Sequence, residues 1–170
     1  MASQNEDLQL ITELHRDKLT ARQRHVAVAR FVSDYEFNNA YQYVINREDT
    51  HLAWLEAAIA DLGGTSADFA KVAEPSVTPA AAGKKDKNAA FLPLVSEDSK
   101  SAADLVAKWK PKAAGIKSDR HRKLAGVILG ETLEQKRFFD QVLGGQDDLL
   151  GRRMKGASTG DGVMPVRWVE

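Results

Sequence analysis

An all-α four-helix bundle with one long crossover is the fold this sequence predicts. Three observations point there. Four segments carry apolar residues at three- and four-residue spacing. Residues that cap or break helices bound those segments. Between the second and third segments lies a stretch with no helical period at all.

The first helix is expected over about residues 6–33, rich in Leu, Ala, Arg and Gln and free of Gly and Pro. Its inward positions read Leu8, Ile11, His15, Lys18, Arg22, His25, Ala29 and Val32. A break is expected near Ser33–Asp34 or Asn38–Asn39, residue types that cap helices well. The second helix then runs over about 37–62 and stops at Gly63-Gly64. Residues 64–95 hold Pro75, Pro79 and Pro93 and a KKDKN run, and form the crossover, with Phe69 and the FLPLV segment lying against the bundle. Ser96 is the expected N-cap of a third helix over about 97–110, which Pro111 ends. Ser118 or Asp119 opens the fourth, over about 118–143, which stops at Gly144-Gly145. The bundle thus fills 1–145, and 146–170 form a C-terminal tail whose Val163, Val166 and Trp168 suit an extended strip.

Composition narrows the function. Lys+Arg and Asp+Glu both number 24 among 170 residues, a balance that gives no support to a nucleic-acid or membrane-surface partner. Without cysteine, thiol catalysis and thiolate metal sites are excluded, so any metal must be held by His, Asp and Glu. No stretch is apolar enough to span a bilayer and no secretory signal opens the chain, so the cytoplasm is the expected location. Phosphate-loop, dinucleotide and nucleophile-elbow motifs are absent.

The chemistry-bearing feature is a polar pair in an apolar seam. The second helix reads Tyr41, Val44, Glu48, His51, Leu55, Ala58, Leu62 at heptad spacing, which puts Glu48 and His51 on the inward face. A carboxylate and an imidazole buried there cost several kcal/mol each (about 2–7) unless something pairs them. A metal ion is one partner, and a hydrogen-bonded Glu–His pair is the plain alternative. The fourth helix repeats the arrangement as Leu124, Val127, Glu131, Glu134, Phe138, Gln141.

This order of helices, with i, i+3 polar pairs on the second and fourth, resembles the ferritin-like di-iron carboxylate superfamily, its rubrerythrin-like branch most of all. The resemblance rests on INREDTHLAWLEAAIADLGG and ILGETLEQKRFFDQVLGG and covers roughly residues 8–145. It implies metal ligation by Glu48, His51 and Glu131. Glu134 stands where a His is expected. His15 falls near the expected first-helix carboxylate, with Glu13 two residues away, and Asp98 and Asp104 are the candidates on the third helix. The implied cofactor is iron, alternatively manganese or zinc, at one or two ions per chain, with oxygen or peroxide as reactant and a homo-oligomer as assembly. The implied activity is iron oxidation or protection from oxidative stress. The alternative is a non-catalytic structural or assembly protein with a relic site.

Overall fold

The computed structural model describes residues 2–81, 90–146 and 149. Among these it is all-α, a four-helix bundle: α1 (Ala2–Ala29), α2 (Tyr35–Asp61), α3 (Leu92–Ala114) and α4 (Asp119–Leu143), with one 3-10 turn at Ser66–Asp68. The expected tail lies outside the described residues except for 146 and 149.

The turns follow from local chemistry. The Asp34 carboxylate caps α2 by accepting from Phe37 N at 3.1 Å. The Asn38 amide donates to the carbonyls of Ala29, the last residue of α1, and of Val32 just beyond it. Gly63, at φ 87°, takes the left-handed conformation that ends α2. The 3–4 turn is fixed from outside: the buried Asp7 carboxylate on α1 accepts from Lys117 N and Ser118 N, both at 2.8 Å.

Boundaries differ from the sequence expectation at both ends of α1, which spans Ala2–Ala29 rather than 6–33, and at both ends of α3. α3 starts at Leu92 rather than after Ser96, because Pro93 sits in the first turn, where a missing N–H costs nothing. Leu94 and Val95 are buried there, and Phe91 just before them is fully enclosed. The helix also continues through Pro111 to Ala114, where the buried Trp109 and Ala113 hold the last turn in the core.

α1 packs along α2 and α3 along α4, and sparser α1–α3 and α2–α4 contacts close the bundle. The crossover leaves the Leu62 end of α2 and delivers Phe91 against Phe37 at the other end, so α2 and α3 run in the same direction. Two apolar clusters result. One gathers Val28, Phe37, Tyr41, Val44, Phe91 and Phe139; the other gathers Ile11, Leu14, Leu55, Ile59, Trp109 and Ile128. Each fully buried Leu or Ile contributes roughly 1.5–3 kcal/mol. Between the clusters lies a layer of buried polar groups, and that layer is the candidate site.

Candidate functional site in the bundle core

α2 delivers the seam the sequence predicts: Tyr41, Val44, Glu48, His51, Leu55, Ala58 and Leu62 are all buried. Glu48 and His51 are fully enclosed. What meets Glu48 comes from α1. Lys18 Nζ, itself with no exposed surface, donates to Glu48 Oε1 at 3.0 Å. His25 Nδ1–H donates to Glu48 Oε2 at 2.8 Å. Lys18 reaches on to α4, donating to Thr132 Oγ1 at 3.4 Å and Gln135 Oε1 at 3.5 Å. All three ammonium hydrogens thus have acceptors, which is what a buried lysine requires.

The electrostatics follow. Burial alone would raise the Glu48 carboxyl, but His25 and Lys18 outweigh it and hold the group down to about 2. Burial likewise opposes a charged His25, and the Glu48 carboxylate overcomes that and raises the imidazole above its ordinary value. For His51, burial and the nearby Lys18 charge lower the pKa, against a smaller opposing pull from Glu131. His51 is therefore held neutral. Its Nε2–H donates to Glu131 Oε2 at 2.7 Å, and its buried Nδ1 has no partner among the described residues.

A second polar unit stands beside the first. The Asp98 carboxylate on α3 is fully buried and accepts from Arg24 Nε and, at 2.7 Å, from the Tyr41 hydroxyl. Burial and Asp98 together push the Tyr41 phenol far up, so it stays protonated.

The residues expected as ligands do not gather into one set. Glu131 is on the edge of the core, gripped through both oxygens by the Arg47 guanidinium. Burial raises its carboxyl, and Arg47 and His51 bring it below the usual value. Glu134 lies on the outer face, 63% exposed, paired with Arg137. The α4 face that enters the core is one residue on from the seam expected: Ala125, Ile128, Leu129, Thr132, Gln135, Phe139 and Val142 are buried, while Val127 is exposed. So the inward i, i+3 pair on α4 is Thr132 and Gln135, not Glu131 and Glu134.

On α1, His15 is buried but stands at the Leu62 end, where Nε2–H donates to Glu56 at 3.4 Å and Nδ1 accepts from Ala70 N. Glu13 faces α3 at the surface, paired with Lys112. Lys112 lowers its carboxyl, against a smaller opposing effect of burial. Asp104 is exposed on α3, whereas Asp98 on the same helix is enclosed. His121 is buried, contrary to the exposed position its charged neighbours suggest.

The fit to a metal can be judged from this donor set. Glu48 is taken up by Lys18 and His25, Glu131 by Arg47 and His51, and the other expected ligands are elsewhere. Among the described residues no group of three or more His, Asp or Glu side chains is placed to hold an ion. The residues present do not fit a carboxylate-bridged metal pair. Nor is any helix of the described residues long and apolar enough to cross a membrane.

No protein-family model matches the chain, and the comparison with curated proteins finds no match either.

Proposed function

We propose that this chain is a ferritin-like bundle with a relic site, in which a lysine ammonium serves as the core cation, and that it works as a structural or assembly component without oxygen chemistry. One observation carries the reading. Lys18 Nζ sits 3.0 Å from Glu48 Oε1 with both groups fully enclosed. An ammonium there neutralises the carboxylate and repels any second cation at the same oxygen. Thr132 and Gln135 support it further, since a hydroxyl and an amide solvate an ammonium well and bind iron or manganese poorly beside carboxylate sites.

A single observation favours the metal reading instead: the buried His51 Nδ1 carries a lone pair without a partner. Iron, manganese or zinc there would need further ligands that the neighbouring carboxylates, already paired, do not offer.

Aerobic Fe(II) oxidation separates the two readings. Under the relic-site reading the full chain oxidises Fe(II) no faster than buffer, and it does not saturate with iron. Oxidation well above buffer, saturating near one or two irons per chain, would restore the enzyme reading.

A further inference from the structure

A cleft of about 300 Å³ opens between α1 and α3 and reaches down to the polar layer. That volume is at the lower end of the range for small-molecule sites. Its walls are mostly apolar, formed by Ala21, Ala102 and Leu105 with the stems of Arg24 and Lys108. Its floor is Lys18, His25, Glu48, Thr132 and Gln135.

The donors and acceptors of that floor do not all pair. Lys18 supplies three donors and His25 one through Nδ1, and the Glu48 carboxylate is shared between them. Thr132 gives its own hydrogen to Ile128 O. Gln135 offers Oε1 to Lys18, which leaves its amide nitrogen, on a residue only 3% exposed, with no acceptor among the described residues. A buried donor left unmade costs about 1–3 kcal/mol. One donor of the floor, Gln135 Nε2, thus lacks an acceptor, and beside it Lys18 and His25 face a single carboxylate, Glu48. The rim does not correct this, because it carries both signs: Asp17 is bound to Lys108 and Trp109, Arg24 is bound to Asp98 and Glu97, and Asp104 faces the same mouth.

We propose that this cleft binds a small monocarboxylate with a compact apolar body, whose carboxylate accepts from Gln135 Nε2 and lies over the positive charge of the Lys18 and His25 layer, while the body lies against Ala21, Ala102 and Leu105. The proposal rests on the lysine-neutralised core, since a metal on Glu48 would displace Lys18 from the floor. Its test is therefore run on chain whose metal content has been measured, so that failure of the core reading is seen separately from failure of the ligand.

The experiment is titration of the folded full chain with sodium benzoate and sodium hexanoate, against benzamide and hexan-1-ol as neutral counterparts, followed by amide shifts in two-dimensional NMR. Both carboxylates are expected to bind saturably, shifting residues 18–25 and 101–105, with the neutral compounds at least about tenfold weaker. Gln135→Leu should weaken benzoate by about tenfold, and Ala21→Leu, which narrows the mouth at a half-buried position, should do the same without touching the floor. Circular dichroism checks that both variants fold. No saturable carboxylate binding by wild type at about 10 mM would overturn the site. Equal binding of benzamide, or shifts confined to another face, would overturn the carboxylate assignment.

Discussion

Lys18 on α1 donates from Nζ to Glu48 Oε1 on α2 at 3.0 Å, with neither group exposed to solvent. The pair joins the two helices at the level where neither apolar cluster reaches. Its energetics are asymmetric. Moving both charges out of water costs nearly as much as their attraction returns, whereas removing one partner leaves a bare charge in the core.

A double-mutant cycle reads this asymmetry. Glu48→Gln leaves Lys18 without a counter-charge and should cost about 3–5 kcal/mol in denaturant unfolding. Lys18→Met keeps the His25–Glu48 pair and should cost less, about 1–3 kcal/mol. The double variant should be less destabilised than the sum of the two by at least about 1 kcal/mol. Strict additivity would mean the two groups do not interact in solution.

Acid stability should depend on Glu48. Its folded-state value of about 2 lies below its ordinary 4.5, so the stabilisation is fully present above the ordinary value and is lost as pH falls toward 2. The linkage amounts to roughly 3 kcal/mol. His25 has the opposite sign: its raised value gives stability below its ordinary pKa that disappears as pH rises through the folded one. Unfolding free energy against pH should therefore fall on both sides, and Glu48→Gln should flatten the acid limb. An unchanged acid limb in that variant would assign acid unfolding to other carboxylates.

The register of α4 decides where a metal site can be built. Lys18→Glu combined with Thr132→Glu and Gln135→His would put two carboxylates and an imidazole beside Glu48 and His51. Cobalt(II) absorbance should then report tight binding that wild type lacks. Glu134→His should do nothing of the kind, because position 134 faces solvent. Cobalt binding gained through Glu134→His alone would show that the other face of α4 points inward.

Asp7 offers a test of the fold away from the core. Its carboxylate is buried and holds two backbone N–H groups at the α3–α4 turn from the far end of α1. Asp7→Ala should lower stability by about 1–3 kcal/mol, with the loss visible first as faster hydrogen exchange at Lys117 and Ser118. Unchanged exchange at both amides would mean the tie does not form.

Much of the fold is legible in the sequence because each α2 and α4 boundary carries its own signal, Asp34, Gly63, Ser118 or Gly144. The α3 start is not, because Pro93 reads as a breaker until it is placed in the first turn. The site is half legible. The α2 seam stands out, since Glu48 and His51 interrupt an apolar heptad. The α1 seam places Lys18 and His25 among its inward positions, and both are buried, yet nothing local says that they meet Glu48 rather than a metal ion. On α4 two adjacent stripes are both apolar: Leu124, Val127 and Phe138 compete with Ile128, Leu129 and Phe139. The charged pair Glu131 and Glu134 draws attention to the wrong stripe. Thr132 and Gln135 carry no charge, and only their contact with Lys18 gives them a role.

Elemental analysis of the full chain, produced with iron and manganese in the medium and purified without chelator, bears most directly on Lys18 as the core cation. Metal content far below one ion per chain is expected, in wild type and in His51→Ala alike. Retention of about one or two ions per chain, lost in His51→Ala but kept in His121→Ala, would contradict it.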